Sequence, residues 1–146
     1  MRILPPWLVL LLLVTMVALH VVQPGPVVVA FPYNLAGAVV AALGLLITLS
    51  GARLFGRVGT NIRTFNEPGV LVTDGLFRWS RNPMYLGFVL LLLGIAILLG
   101  TATPFAGPLI FAIVADRWYI GFEERAMRQK FGADYEAYRR RTRRWI

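Results

Sequence analysis

The chain has 146 residues, 58% of them hydrophobic and 15% charged, with a mean hydropathy of +0.67. That balance excludes an ordinary soluble domain, and the absence of cysteine excludes a disulfide framework, a thiolate nucleophile and a cysteine metal site. The formal net charge of +8 lies beside apolar runs rather than on a soluble basic face, so it points to anionic lipid head groups and not to nucleic acid.

Four apolar runs organise the chain: Ile3–Val22, Val27–Ser50, Met84–Gly100 and Pro104–Phe122. A helix crosses a bilayer core in about 20 residues, with roughly 17–25 tolerated. The expected fold is therefore all-α: a polytopic integral membrane protein of four transmembrane helices, followed by a C-terminal amphipathic interfacial helix. A single membrane-embedded domain spans 1–146, with a loop at 51–83 and a tail at 123–146. The short connections Gln23–Pro26 and Thr101–Thr103 carry no Lys or Arg. The loop carries Arg53, Arg57, Arg63, Arg78 and Arg81, and the tail carries eight more basic residues. By the positive-inside rule the loop, the tail and both termini are cytoplasmic. Lys130 is the single lysine among 15 basic residues, a bias that suggests a GC-rich prokaryotic genome and hence an inner membrane.

In the first run, Pro5-Pro6-Trp7 opens a leucine- and valine-rich stretch, with Trp7 as an interfacial anchor. Met1-Arg2-Ile3 resembles a signal-peptide start, but no small-residue cleavage site follows, so a retained span is expected. His20, near the non-cytoplasmic end, reads as interfacial. After a turn at Pro24-Gly25-Pro26, the second run carries Gly37, Ala38, Ala41, Ala42 and Gly44. Small residues at three- and four-residue spacing let helices approach closely, which predicts a central helix.

Glycines and Pro68 predict an irregular loop, with Asn61, Arg63 and Glu67 solvated and Val70–Gly75 extended into a turn. The loop ends in a collar, Asp74 to Gly87, that concentrates arginine, amide and aromatic side chains at the mouth of an uncharged run. Pro83 suits the first helical position. Arg81 and Asn82 then lie beside unpaired helix N–H groups, a receptor for a carboxylate or phosphate. In the fourth run Asp116-Arg117 interrupts apolar sequence. Each charge costs about 2.5–3.5 kcal/mol at a span centre unless paired or interfacial, and adjacent residues do not face each other on a helix. Beyond Phe122, Met127, Phe131, Tyr135 and Tyr138 form one face of a helix lying along the membrane, with a break expected at Gly132. Arg139–Arg144 reads as a head-group-binding tail.

No dinucleotide fingerprint, phosphate loop, His-Glu-x-x-His or nucleophile elbow is present, which excludes a soluble Rossmann-type methyltransferase or dehydrogenase. The chemistry available is Arg81, Asn82, Tyr85 and the Glu123-Glu124 pair. Such a set can hold a charged cofactor while an apolar substrate enters from the bilayer. The carboxylates suit a ribose or amino group and the arginine suits a carboxylate or phosphate.

Ser80-Arg81-Asn82-Pro83-Met84-Tyr85-Leu86-Gly87, then Glu123-Glu124-Arg125, then Phe131-Gly132-Ala133-Asp134-Tyr135-Glu136-Ala137-Tyr138, resembles the isoprenylcysteine carboxyl methyltransferase family, also called the phospholipid methyltransferase superfamily. The likeness covers residues 65–146. It implies a compact helical membrane core that binds S-adenosylmethionine at the cytoplasmic face. Arg81, Asn82, Pro83, Tyr85, Leu86 and Gly87 would border the cofactor. Glu123 and Glu124 would hold its polar groups or orient the acceptor. Arg81, Glu123 and Glu124 are the candidate catalytic residues, Arg81 (or Arg78) holding an acceptor carboxylate, and no metal is expected. The family's better-known members carry His where Asn82 stands; Asn keeps a hydrogen bond but cannot titrate. Two other readings share part of the pattern: a steroid-reductase-like membrane reductase using NADPH, and a small non-enzymatic membrane protein whose collar merely anchors it.

Overall fold

Residues 3–58 and 69–146 are described by the structure, a computed structural model; Asn61, Arg63 and Glu67 lie outside the described residues. Five helices account for most of it: α1 (Pro5–Val22), α2 (Ala36–Val58), α3 (Pro83–Leu99), α4 (Ala106–Val114) and α5 (Ile120–Arg141). The described residues contain two isolated β-bridges and no strand. A π-helical turn, Ala115–Tyr119, joins α4 to α5 without a break, and the combined rod bends at Gly132, whose φ is +48°.

Three helical segments are long and apolar enough to cross a membrane: Pro5–Val22, Tyr33–Arg57 and Thr103–Arg141. The fourth apolar helix, α3, has 17 residues. At 1.5 Å per residue it spans roughly 26 Å against a core of about 30 Å. It is short because it is central. Its run from Phe88 to Leu99 bears no polar side chain, and it packs against α1, α2 and α4, with Leu92 and Ala96 fully buried. An all-apolar helix can face lipid as well as protein, so it is contact with three helices that marks α3 as the inner one.

That placement corrects the expectation of a central second helix. Gly37, Ala41 and Gly44 of α2 serve the contact along α3, while Ala38 and Ala42 are exposed. A Cβ on Gly37 would overlap the backbone of Gly94 and Leu98, and one on Gly44 would overlap Gly87 and Leu91. On α3, Gly94 meets the backbone of Ala41 in the same way. The opposite face of α2, including Val39, Leu43 and Leu46, is exposed.

The second apolar run also divides differently. Val27–Ala30 is not helical; the Val28 and Val29 amides donate to Gly100 O at 2.8 and 3.0 Å, and Val27 bridges Thr101. Pro32, with no N–H and a restricting effect on its predecessor, keeps the helix from starting sooner. α2 begins at Ala36 and continues past Gly51 to Val58, where Phe55 stacks on Phe77 with ring centroids 5.0 Å apart. The opposite end of the bundle, where residues 27–29 meet Gly100 and Thr101, also holds His20, whose Nδ1 lies 2.8 Å from Thr101 Oγ1. Gly100 closes α3 at φ +74°, a conformation glycine adopts without strain.

At the other end stand the collar, the N-terminus of α1 and the far part of α5. α1, α3 and the α4–α5 rod share a core around Met16, Leu92, Phe111, Tyr119 and Ile120. Tyr119 Oη donates to Ile3 O at 2.9 Å and ties the start of α1 to the π turn.

Candidate active site

The collar is shaped by local rules. Asp74 leads into a 3-10 turn, Gly75–Arg78, with Gly75 at φ +59° and Phe77 buried beneath it. Ser80 Oγ accepts from the Asn82 amide at 3.1 Å, and Pro83 then starts α3 at its first position. The tail arrives beside this segment. Tyr138 Oη donates to Phe77 O at 2.6 Å, the Arg81 amide donates to Arg143 O at 2.9 Å, and Asn82 Nδ2 donates to Arg144 O at 2.9 Å.

One ionised network and one phenol–carboxylate hydrogen bond join the collar and the start of α3 to the α4–α5 rod and the tail. Arg81 Nη2 lies 3.1 Å from Glu124 Oε1, and its Nη1 donates to the carbonyls of Thr142 and Arg139. Arg144 grips the same carboxylate from the other side, with Nε at 3.2 Å from Oε1 and Nη2 at 2.6 Å from Oε2. Its Nη1 continues to Asp116 Oδ1 at 3.0 Å, which also accepts Trp145 Nε1 at 3.0 Å. Glu124 is 8% exposed. Burial alone would raise its pKa, but the hydrogen bonds and charge of Arg144 and Arg81 outweigh it and hold the carboxyl below its usual range. The second contact is Tyr85 Oη donating to Glu123 Oε1 at 2.7 Å. Tyr85 in turn stacks on Tyr119, centroids 6.0 Å apart and nearly parallel.

The π turn explains how one guanidinium reaches both acids. In a regular helix of 3.6 residues per turn, residue 124 sits about 80° round from residue 116. A π turn absorbs one extra residue and returns the two to one face. Arg117 points out, its side chain 85% exposed and its Nε 3.9 Å from Asp116 Oδ2.

Between these groups lies a cavity of about 470 Å³. Its polar wall is Arg81, Asn82, Tyr85, Glu123, Glu124, Tyr135 and Tyr138; its apolar wall includes Leu4, Leu45, Leu49, Phe55 and Met127. Burial pushes the phenols of Tyr135 and Tyr138 up, so both are neutral donors in the working pH range. Arg81 Nε is buried without a partner among the described residues.

Of the residues named from sequence, Arg81, Asn82, Pro83, Tyr85, Glu123 and Glu124 converge on this cavity. Leu86 and Gly87 do not line it. Leu86 follows Tyr85 around the helix and turns away, while Gly87 is pressed against Gly44 and Thr48 of α2, where a Cβ would not fit. Arg78 is exposed and apart from the cavity. Three participants were not singled out for the site. Tyr135 and Tyr138 read as the apolar face of a surface helix, yet they are 3% and 5% exposed and turned onto the collar. Arg144, read as a head-group contact, instead folds back onto Glu124 and Asp116 because a buried carboxylate and a half-buried one beside it need a counter-charge. The lone acid in an apolar run was the available signal.

A helical membrane protein with a cavity that is polar on one wall and apolar on the other is the class this site defines. Residues 33–134 match the phospholipid methyltransferase family model, and the chain belongs to that family. It is 37% identical over 80 residues to the protein-S-isoprenylcysteine O-methyltransferase of Schizosaccharomyces pombe, covering 53% of this chain and 33% of the yeast protein. It is 36% identical over 63 residues to an uncharacterized protein of Haemophilus influenzae, covering 43% of this chain and 100% of that one. The chain thus spans about a third of the yeast relative's length. No solved structure matches it.

Proposed function

We propose that this integral membrane protein transfers a methyl group from S-adenosylmethionine to a lipophilic acceptor at the cytoplasmic membrane face. The reaction is carboxyl O-methylation of a prenylcysteine-like substrate, the kind named for the yeast relative, or methylation of another lipid. The observation that carries this reading is the two-walled cavity. At about 470 Å³ it falls within the ~300–1,000 Å³ range of small-molecule sites. Leu45 and Leu49 line it and are also 46% and 42% exposed on the outer face of α2, so its apolar rim opens toward lipid.

The residues fit the cofactor. The Glu123 carboxylate suits the amino group or ribose of a nucleoside-amino-acid ligand, Tyr135 offers a neutral phenol, and Tyr138, whose proton goes to Phe77 O, offers a phenol oxygen to accept; Arg81, on the same wall, keeps its buried Nε without a partner among the described residues. When bound, S-adenosylmethionine supplies a methyl already activated on a sulfonium. What remains for the protein is alignment and exclusion of water. Tyr85, held by Tyr119 and bonded to Glu123, fixes the orientation of that carboxylate. Pro83, Phe88 and Met127 keep the space between the walls dry. Arg81 is the cation available to draw an acceptor carboxylate toward the polar wall.

The test is transfer of labelled methyl from S-adenosylmethionine into a fractionated lipid extract by the purified protein. The expected result is label in a lipid fraction, with S-adenosylhomocysteine, and not NADPH, raising the unfolding midpoint in detergent. Protection by NADPH alone would replace this reading with the reductase; protection by neither, with no label transferred, would leave a non-enzymatic membrane protein.

A further inference from the structure

The last five residues knit the two halves of the site together. Thr142 leaves α5 in an extended conformation, and Arg143 forms a parallel bridge with Ser80. The carbonyls of Thr142, Arg143 and Arg144 all accept hydrogen bonds from the collar, from Arg81 and Asn82. The side chains face the other way, Arg144 onto Glu124 and Asp116, Trp145 onto Asp116 and the helix core. The segment is a strap with its backbone on the collar just before α3 and its side chains on the α4–α5 rod.

We propose that Arg144 is a positioning residue of the site: anchored on Asp116 of the π turn, it holds Glu124, and through Glu124 the Arg81 guanidinium, in the cavity wall. What the cavity binds rests on the methyltransferase reading; the positioning does not. Glu124 Oε1 is shared between Arg81 and Arg144, while Oε2 belongs to Arg144. Take Arg144 away and Arg81 is the sole counter-charge for a carboxylate that is 8% exposed. It is then drawn toward both oxygens and away from the cavity. Asp116 keeps Arg144 from following a moving Glu124, and the π turn sets the two acids at a spacing one guanidinium can span. This also gives the charge at residue 116 a purpose, since a lone acid in an apolar helix is otherwise only a cost.

The test uses the full chain in detergent, with S-adenosylhomocysteine affinity read by calorimetry and ligand-free unfolding read by circular dichroism. Arg144→Gln is expected to weaken binding about thirtyfold, the order seen when a buried charge pair loses one partner. Arg144→Lys should recover part of that loss, and Asp116→Asn should give a smaller one. Arg140→Gln removes the same charge from an exposed position and should bind as the wild type does. A folded Arg144→Gln protein with wild-type affinity would overturn the proposal, and so would an equal loss in Arg140→Gln. If the wild type binds no S-adenosylhomocysteine, the methyltransferase reading falls, and the ligand-free cycle of Arg81→Gln and Arg144→Gln decides the positioning role. A double variant whose midpoint falls by more than the sum of the single drops supports it, because only then is Glu124 left wholly unpaired. Additive drops overturn it.

Discussion

Glu123 and Glu124 are adjacent in sequence and opposite in environment. Glu124 is enclosed by two guanidiniums, whereas Glu123 sits on the cavity wall and accepts from Tyr85. Glu124→Gln leaves Arg81 and Arg144 facing a neutral amide. Breaking a fully buried pair costs about 3–5 kcal/mol, and the partial exposure of Arg144 reduces the expected loss to about 2 kcal/mol, read as a lower unfolding midpoint. Glu123→Gln keeps an acceptor for Tyr85 and should cost under about 1 kcal/mol, yet it should lower S-adenosylhomocysteine affinity. The acid side separates the pair further. Glu124 lies beyond the apolar part of its helix, and its folded pKa is below the ordinary 4.5, so its contribution to stability is present above that value and lost as pH falls through the folded pKa. Unfolding midpoints taken across that acid range should therefore fall more for the wild type than for Glu124→Gln. The twin acids stood out in the sequence as a pair. Their division of labour did not, because it depends on an arginine twenty residues away with no periodic relation to them.

At the level of elements, the α2–α3 contact is a backbone contact, and glycine makes it possible. Gly94→Val would drive side-chain atoms into the amide of Ala41. The expected loss is about 3 kcal/mol or more, the upper range of overpacking, seen as failed expression or a collapsed midpoint. Gly56 supplies the control: a Cβ there meets nothing within 4 Å among the described residues. Gly56→Ala should be neutral or stabilising by about 0.5–1 kcal/mol, through helix propensity alone. Four helices were legible because apolar runs of that length have few alternatives, and the close packing of Gly37 and Gly44 because small residues recurred at helical spacing. What covers each face was not legible. The stripe on α2 says that a neighbour comes near, not which helix is surrounded; α3 takes the centre because α1, α2 and α4 all pack against it, which its apolar sequence, shared in kind by α4, did not announce. The π turn also left no local mark. Ala115–Tyr119 has ordinary helix formers, and its extra residue is stabilised by what it aligns, Asp116 with Glu124 and Tyr119 with Ile3.

For the whole molecule, the property with the largest physical consequence is which way the bundle faces. Everything with chemistry lies at one end: the collar, the twin glutamates and the strap. The opposite end holds Gln23, Pro24, Gly100 and Thr101, tied by backbone bonds and without Lys or Arg. Charge decides orientation because translocating Arg-rich segments is unfavourable and anionic lipids attract them. Arg125, Arg128 and Arg139–Arg141 remain solvent-facing even though Arg144 is committed to the site, so the basic excess survives its loss. The chain has no cysteine, which makes single-cysteine mapping direct. Gln23→Cys and Arg140→Cys place a thiol at exposed positions on opposite ends. In right-side-out bacterial membrane vesicles, a membrane-impermeant maleimide should label the first at once and the second only after permeabilisation. The reverse pattern would turn the cavity away from the cytoplasm and from any supply of S-adenosylmethionine there, and the proposed reaction would lose its cofactor whatever the fit of the polar wall.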